Sequence, residues 1–594
     1  ICACLVGSEM CIRDSYKKVY AAFILAGGLI LHGCNGIFDD LAINPNQPSM
    51  GAYFTSPSAV NDAVMTMYGY MSTQRCLGAS GSKTTIIRSD EASSNSDYGK
   101  PGMFGADLNA SYYTIEQPYT LMYTTASQAS YIIETAPSVD FSGNEELRNA
   151  YMGEAYFWRA FAHYYLLINF RNISPIRQMP RNGDDYVRPL EKPAAVWNFI
   201  QEDLAHAKEL LPVKGYWDSK NAGRVTKASA AALLGKAYLY RSGIEQYYGE
   251  DKTTFYSEAA KEFGDVIDGK YGTYDLTKNY ADNFDVAHEN NEESILEFQF
   301  LGDVDNAGFN PGLATSGLAF DSRGLMLPGA GVGYEGVVHN WLYNAFVNSV
   351  DKDGYTDIRM FSTMIFNDLD ASIHLRNDAG GNPVRLEGPG GYKWEELYPA
   401  KNGKEGFATV SNPLAHSFKA GIRKGIDCSM PTQTEADGTP KLVGVGAGVK
   451  EYVYNQPRAH GVNWRYIRYA DVLMMYAESV VSGGTPASNM TPLQAVNKVR
   501  GRVNMSELPS VTMADIQNER ILEFALEGHR FYDLLRWGKL ASRFTELQES
   551  DPNFKKFISA DDFKGFVTNK HEWLPIPINE VNSNPYITEN NPGY

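Results

Sequence analysis

The sequence has few of the signatures that mark enzymes. Its 594 residues contain no G-x-S-x-G nucleophile motif and no P-loop. Metal-site patterns are also missing: no H-E-x-x-H and no C-x-x-C occurs, and the acidic run 351–357 lacks the glutamate that completes a calcium loop. Carboxylates are plentiful, so counting does not exclude a glycosidase pair, but none is framed by a recognisable strand end. We therefore expect no enzyme activity, no catalytic residue, no metal and no cofactor.

Cysteine is scarce beyond the N-terminal region. Four of the six cysteines lie within the first 34 residues, which leaves Cys76 and Cys428 in the rest of the chain. This distribution excludes a disulfide framework. One bridge between Cys76 and Cys428 and two unpaired thiols are both compatible with the sequence.

Basic tracts are missing as well. The net charge is −17 and the isoelectric point is near 5.2, which argues against nucleic acid as a partner. The apolar fraction of 43% and the charged fraction of 21% are those of a globular protein. Tyrosine is unusually frequent, with 38 residues. Its flat ring and hydroxyl suit both packed helices and the faces of sugars.

Long hydrophobic runs are limited to one short segment near the N-terminus. Lys17 and Lys18 precede an apolar run over 19–30, too short for a spanning helix, which predicts a secretory signal within 1–33. Residues 1–14 fit no such pattern, and a non-native origin stays open for them. The sequence Leu31-His32-Gly33-Cys34 resembles the lipobox of bacterial lipoproteins, which implies cleavage before Cys34 and lipid on its thiol. A plain signal peptide with an incidental cysteine is the alternative.

The body of the chain is rich in helical periodicity. Apolar residues recurring every three to four positions predict helices over 59–71, 119–136, 145–170, 196–211, 226–241 and 255–267. Gly243 is expected to end the fifth of these. Because short loops connect them, we predict helix pairs that pack like tetratricopeptide units, without a regular repeat.

The segment 464–539 carries the strongest pattern. Apolar stripes predict a helix over 464–481, a short helix over 491–503 with Thr491 as its N-cap, and a last helix over 513–539. Charged residues recur on the first and last of these helices: Arg468, Asp471, Glu478, Arg520, Glu523, Glu527 and Arg530. We interpret them as a structural lattice between packed helices rather than as a catalytic pair.

This segment also carries a family resemblance. RYADVLMMYAES, AVNKVRGRVN and ERILEFALEGHRFYDLLRWGK closely resemble the C-terminal signature of the SusD/RagB family, and LPIPINEVNSNPYITENNPGY resembles its closing motif. GEAYFWRAFAHYYLLINF and GRVTKASAAALLGKAYLY are similar to the family too, so the resemblance covers nearly the whole mature chain. Members are outer-membrane lipoproteins of Bacteroidetes. The resemblance implies a mainly α fold with four tetratricopeptide-like helix pairs and a loop-rich irregular subdomain.

The chain is therefore expected to divide into five parts. These are a signal region over 1–33, a lipid anchor and tether over 34–48, a helical part over 49–300, a loop-rich ligand or partner subdomain over 301–463, and a helical C-terminal part over 464–594. The loop-rich part is dense in glycine and proline, but its interleaved aromatics argue against disorder.

Two regions combine aromatic and polar residues in the way that sugar-binding sites do. The first is the polar loop after residue 89, with Asn95, Asp97 and Tyr98. The second is the loop-rich part, with Trp341, Tyr343, Tyr392 and Trp394. The resemblance points to these regions without fixing individual residues. For each aromatic the alternative is a contact within the core.

The resemblance implies a non-catalytic lipoprotein that is exposed on the outer membrane. It would bind an oligosaccharide or polysaccharide and deliver it to a SusC-like TonB-dependent transporter. Two alternatives stay open: a RagB-like lipoprotein that captures peptides, and a surface hydrolase.

Overall fold

The computed structural model describes residues 54–73, 75–94, 108–300, 336–388, 391–400, 402–409, 415–425, 442–445, 449–452, 462–551 and 566–594. Cys34, the signal region and the tether lie outside these residues, as does Cys428. Cys76 is a buried free thiol. Ser56–Tyr594 form one unit, so the division at about 300 and 463 stays a prediction.

The described part is mainly helical. Its α-helices are α1 (Pro57–Met71), α2 (Ala79–Ser82), α3 (Tyr113–Thr135), α4 (Glu145–Phe170), α5 (Pro193–Leu210), α6 (Lys227–Tyr248), α7 (Tyr256–Ile267), α8 (Asn340–Val347), α9 (Arg359–Thr363), α10 (Trp394–Leu397), α11 (Tyr469–Val481), α12 (Pro492–Arg502), α13 (Met513–Glu523), α14 (Arg530–Arg536), α15 (Leu540–Ser550) and α16 (Ile578–Ser583). Its strands are β1 (Ala92–Ser94), β2 (Ser294–Phe298), β3 (Gly336–Val338), β4 (Met364–Phe366), β5 (Ala420–Ile422), β6 (Leu442–Val445), β7 (Val449–Tyr452) and β8 (Trp464–Arg468). Among these described helices, none is long and apolar enough to cross a bilayer.

Successive helices pack as pairs, which confirms the predicted arrangement. Helix α3 packs against α4, α4 against α5, α5 against α6 and α6 against α7, and α7 then contacts α11. Helix α4 begins as its sequence predicts: Asn144 accepts the N–H of Leu147, and two glutamates occupy the first turn. Almost every residue of α4 from Ala150 onward is buried, so this helix forms the centre of the bundle.

Helix α6 is longer than its sequence predicts, because Gly243 does not end it. A Cβ at Gly243 would lie 2.5 Å from the carbonyl oxygen of Arg536. The glycine therefore lets the backbone of α14 approach α6 closely, and the helix continues for five more residues to Tyr248. The sequence predicts a helix end at Gly243, whereas this glycine allows close packing within a longer helix.

The strands form small antiparallel sheets. One has the order β1-β3-β5-β4, in which Ala92 pairs with Val338 and Met364 pairs with Ile422. A second joins β2 to β8, and β6 pairs with β7. The first sheet joins β1 to three strands of the loop-rich part of the chain.

The structure corrects the prediction for 464–481. Residues Trp464–Arg468 are strand β8, and the helix begins only at Tyr469. All five strand residues are buried, and β8 pairs with β2 along its length. A strand that is buried on both faces does not need the alternation of apolar and polar residues that marks a half-exposed strand. Without that alternation, the sequence of this run does not distinguish a strand from the start of a helix.

The predicted helix over 513–539 is likewise interrupted. Helix α13 ends at Glu523 and α14 begins at Arg530. Between them Leu526 has φ 61° and Gly528 has φ 91°, values that a helix does not contain. The break turns the backbone N–H of Leu526 toward the carboxyl group of Glu91, 3.0 Å away. A long-range contact thus stabilises the interruption.

The predicted arginine–carboxylate lattice is present, and its partners extend beyond the two segments from which it was predicted. Arg468 contacts Glu293 and Glu523, both at 2.6 Å, and Glu527 at 2.9 Å. All four side chains are buried. Glu523 and Glu527, which as like charges would repel each other, therefore share the guanidinium of Arg468. Burial opposes ionisation of Glu527, but Arg468 and Lys424 lower its pKa to about 2.

Arg359 extends the lattice into the loop-rich part. Its guanidinium contacts Asp357 at 2.7 Å, Glu519 at 2.5 Å and Glu523 at 3.0 Å. Arg502 adds contacts to Glu523 and Glu293. Glu523 therefore faces three arginines, which hold its pKa below its usual range although burial opposes ionisation.

We expect Glu523→Gln to lower the free energy of unfolding by about 3–5 kcal/mol, because it leaves buried arginines without their counter-charge. Urea denaturation monitored by circular dichroism measures the loss. The matched control is Glu145→Gln, whose side chain is 74% exposed in a pair with Arg148, and whose effect should stay below about 0.5 kcal/mol. Equal effects would contradict a structural role for the lattice.

Glu91 is a second buried carboxyl group, and its environment favours the neutral form. Burial raises the pKa of Glu91 to about 8. Its oxygens accept the N–H of Leu526 and the hydroxyl of Ser89. Since the folded pKa exceeds the unfolded value of about 4.3, the contribution of Glu91 to stability is full below pH 4.3. It is lost as the pH rises to about 8.

Glu91→Gln should therefore flatten the decline of stability between pH 5 and 8, since glutamine stays neutral and keeps an acceptor for Leu526. We expect the variant and the native protein to be similar at pH 5. At pH 8 the variant should be more stable by roughly 3–5 kcal/mol. Urea unfolding across this pH range tests the expectation, and parallel curves for the two proteins would refute it.

Candidate functional site

A cavity with an aromatic floor lies in the loop-rich part of the chain and has a volume of about 430 Å³. We call it the aromatic cavity. Its lining residues are Tyr343, Asn367, Leu369, Asp370, Trp394, Glu395, Tyr398, Ala400, Glu405, Gly406, Phe407, Ala408, His416, Phe418 and Lys419. They come from α8, α10 and the segments beside β4 and β5, so four stretches of the chain meet here.

The floor of the aromatic cavity is a cluster of three rings. The ring centroids of Trp394 and Tyr398 lie 4.7 Å apart, and that of Phe407 lies 5.0 Å and 4.8 Å from them. Trp394 and Tyr398 meet because they are four positions apart across the single turn of α10. Phe407 is brought in by a turn that begins at Gly406, where φ is 55°. The three rings support one another in edge-to-face and tilted contacts.

The rim of the aromatic cavity is polar. Asn367, Glu405 and Lys419 are exposed at its edge. Hydrogen bonds from the hydroxyl and the N–H of Ser372 lower the pKa of Asp370, so this carboxylate is charged and acts as an acceptor. An apolar floor with a few polar groups at the rim is the usual make-up of a small-molecule site.

Two of the predicted binding residues, Tyr343 and Trp394, meet in the aromatic cavity. Tyr343 is 2% exposed and Trp394 is 7% exposed, so only a small part of either side chain reaches the cavity. Tyr392 is half-buried next to α10 and packs against the core without lining the cavity. The other predicted residues of the early loop, Asn95, Asp97 and Tyr98, lie outside the described residues.

Trp341 belongs to the framework beside this site. Its indole N–H donates to the carbonyl oxygen of Asp90. Its ring lies 4.2 Å from the guanidinium carbon of Arg543 and 5.4 Å from that of Arg530. Both arginines pair with the buried carboxylate of Asp90. Trp341 thus contacts the structural ion pairs, and its role as a ligand contact stays a prediction.

Several residues of the cavity were not selected from the sequence. Tyr398 could have been found from its spacing of four from Trp394. Phe407, Phe418 and Lys419 have no comparable local signal, since β5 and the turn after Gly406 bring them to the cavity. Their assembly depends on contacts between distant segments.

Two larger cavities lie elsewhere in the described part. One, of about 890 Å³, adjoins the aromatic cavity and is rich in arginine and lysine. The other, of about 880 Å³, lies between α6, α7 and α14 and contains none of the predicted residues. No group of three or more potential metal ligands occurs among the described residues.

The fold and site together define a class of protein: tetratricopeptide-like helix pairs that support a loop-borne cavity. The family model described as "SusD family" matches residues 434–594, and one described as "Starch-binding associating with outer membrane" matches residues 43–239. The chain belongs to the SusD/RagB family.

Known relatives resemble the chain over most of its length. A "SusD-like protein" of Bacteroides ovatus is 24% identical over 530 residues, which cover 88% of this chain and 83% of the relative. A SusD superfamily protein of Bacteroides vulgatus has a similar crystal structure, with a TM-score of 0.65, 22% identity, and coverage of 91% of this chain and 100% of the other. Surface glycan-binding protein A of Bacteroides thetaiotaomicron, solved in complex with laminarihexaose, matches with a TM-score of 0.64, 18% identity, and coverage of 90% and 100%.

Trp394 should contribute to stability as well as to the cavity, because its ring is buried against Tyr398 and Phe407. We expect Trp394→Ala to lower the free energy of unfolding by about 3 kcal/mol. Tyr186→Ala is the control, since that ring is 58% exposed, and it should change little. Urea denaturation compares the two, and an unchanged stability of Trp394→Ala would show that the ring is not part of the core.

Proposed function

We propose that this protein is a non-catalytic glycan-binding lipoprotein of the outer membrane. It is tethered through lipid on Cys34 and delivers an oligosaccharide to a SusC-like TonB-dependent transporter. The observation that carries the proposal is the aromatic cavity, where the rings of Trp394 and Tyr398 lie below a polar rim. Sugars present C–H faces and hydroxyl groups, which match aromatic rings and amide, carboxylate or ammonium groups respectively.

The comparisons support the proposal at the level of the class. A structural neighbour is described with a bound laminarihexaose, and the family model over 43–239 is described as starch-binding and associated with the outer membrane. The transporter partner and the lipid anchor rest on the family resemblance and on the sequence around Cys34.

Two of the three carboxylates that line the aromatic cavity, Asp370 and Glu395, favour binding over hydrolysis. A glycosidase needs one carboxylic acid whose raised pKa lets it protonate the leaving oxygen. Hydrogen bonds from Ser372 lower the pKa of Asp370, and those from Arg385 lower the pKa of Glu395. Both groups are therefore ionised at neutral pH, which suits hydrogen-bond acceptors rather than a general acid.

The proposal is tested by affinity gel electrophoresis of the full protein against a panel of neutral and acidic polysaccharides, with a reducing-sugar assay on the same samples. We expect retention on at least one polysaccharide without release of reducing ends. Release of products would identify a hydrolase, and affinity for oligopeptides alone would identify a peptide-capturing protein. Either result would overturn the proposal.

The location of the site is tested by filling the cavity. Ala400 and Ala408 line the aromatic cavity, and leucine at both positions adds volume without removing a ring. We expect the double variant Ala400→Leu/Ala408→Leu to weaken retention at least ten-fold, because the sugar can no longer reach the floor. Ala222→Leu, at an exposed position of the helical part, is the control and should bind normally. Unchanged retention of the double variant would place the site elsewhere.

A further inference from the structure

The larger cavity beside the aromatic cavity is rich in cationic residues, and we call it the basic cavity. Its volume is about 890 Å³. Its charged lining residues are Lys278, Arg376, Arg385, Lys393, Arg423 and Arg502, with Asp378 and Glu387 as the acids. Six cations face two carboxylates, although the protein as a whole carries a net charge of −17. The lining itself therefore holds more cations than acids, unlike the sequence as a whole.

Four of these cations have carboxylate partners in the walls. Arg376 pairs with Asp351, Arg385 with Asp368 and Glu395, Lys393 with Glu387, and Arg502 with Glu293 and Glu523. These pairs hold the walls in place and neutralise much of their own charge. They leave Arg423 and Lys278, for which no carboxylate lies within ion-pair distance in the described part of the chain.

Arg423 is fixed in position without being neutralised. It follows strand β5, and its guanidinium donates to two carbonyl oxygens, that of Phe361 at 2.8 Å and that of Glu387 at 3.0 Å. Its Nε is shielded from solvent and has no hydrogen-bond partner. The carboxylate of Glu387, although close in sequence to the accepting carbonyl, pairs with Lys393 instead. Two neutral acceptors orient the guanidinium while its full positive charge remains.

Lys278 supplies a second cation at the rim. Its side chain is exposed, and the residue lines the same cavity as Arg423. A rigid planar guanidinium and a flexible ammonium at one cavity each suit an anionic oxygen group as a partner.

The two cavities are close neighbours. Arg385 lines the basic cavity and Glu395 lines the aromatic cavity, and their side chains form an ion pair of 2.8 Å between the two. Lys393 and Trp394 are consecutive residues that face one cavity each. A chain molecule longer than one sugar unit can therefore contact the ring floor and the free cations together.

We infer that the basic cavity binds the carboxylate or sulfate group of an acidic polysaccharide, with Arg423 and Lys278 as its counter-charges. This inference rests on the proposed function and names the class of glycan. A neutral glycan would leave Arg423 without a counter-charge in the complex, whereas an acidic sugar unit supplies that counter-charge. The alternative anionic ligand, an acidic peptide, is an outcome of the test.

Matched polysaccharides test the inference on the full protein in affinity gels. Polygalacturonate is compared with its fully methyl-esterified form, and dextran sulfate with dextran; alginate, carrageenan, starch and laminarin complete the panel, with poly-glutamate as the peptide probe. We expect retention on a charged polysaccharide and at least ten-fold less on its neutral counterpart. A carboxylate ligand and a sulfate ligand are distinguished by which pair shows the difference.

Variants then locate the contact. Arg423→Gln and Lys278→Gln should each weaken retention on the charged polysaccharide roughly ten-fold, the effect of losing one hydrogen bond to a charged group. Arg423→Lys should recover part of the loss. Lys220→Gln is the control, because it removes the same charge from an exposed position outside both cavities. Lys278 makes no hydrogen bond that folding would need among the described residues, so its variant tests the site even if substitutions of Arg423 destabilise the protein.

The outcomes separate this inference from the proposed function. Retention on neutral polysaccharides alone, or equally on both members of each pair, would overturn the inference and leave the proposed function intact. An equal loss in Lys220→Gln and Lys278→Gln would also overturn it, since the attraction would then be nonspecific. Retention on poly-glutamate and on no polysaccharide would overturn both.

Discussion

The structure depends on the pairing of the charges that are buried in the arginine–carboxylate lattice. Arg468 and Arg359 are fully shielded from solvent, and each is surrounded by carboxylates that are themselves buried. An ion in such a place is costly unless oppositely charged groups and hydrogen bonds surround it. The partners of these two arginines come from the residue before β2, from the segment just before α9, from α13 and from the break between α13 and α14. The chain can satisfy them only by bringing these distant segments together.

The same constraint sets the geometry of the loop-rich part. Arg359 opens α9, which leads directly into β4, and β4 pairs with β5 beside both cavities. Arg502 belongs to the lattice and also lines the basic cavity. Asp90, which lies just before β1, contacts α14 and α15 through Arg530 and Arg543, next to Trp341. Ion pairs therefore hold segments with little regular secondary structure in place. The walls of the two cavities are kept rigid in this way without a large sheet.

Under the proposed function, the two cavities contribute different forces to recognition. In the aromatic cavity the rings are mostly buried, and their mutual packing keeps them fixed. In the basic cavity, paired cations stabilise the walls, while Arg423 keeps its charge because only carbonyl oxygens hold it. Contact with rings is tolerant of the identity of a sugar, whereas an oriented guanidinium is selective for an anionic group. The proposed site combines both kinds of contact for one chain molecule.

Local signals in the sequence determined the helices of the bundle. The helix over 145–170 has the predicted bounds, and Thr491 caps α12 as expected, because periodicity and caps act within a few residues of each other. The runs that resemble the SusD/RagB family also lie in these helices, and the family was identified correctly from them. The presence of an arginine–carboxylate lattice followed from the charges on two segments.

Tertiary contacts decided the rest. Residues 464–468 became a strand because β2 lay beside them, and the helix over 513–539 was interrupted where Glu91 accepts a hydrogen bond from Leu526. Gly243 stayed inside α6 because the backbone of α14 packs against it. Tyr343 and Trp394 were predicted as site residues, but their meeting with Phe407 and Phe418 had no local signal. In each case the partner is far away in sequence, and periodicity within one segment carries no information about it.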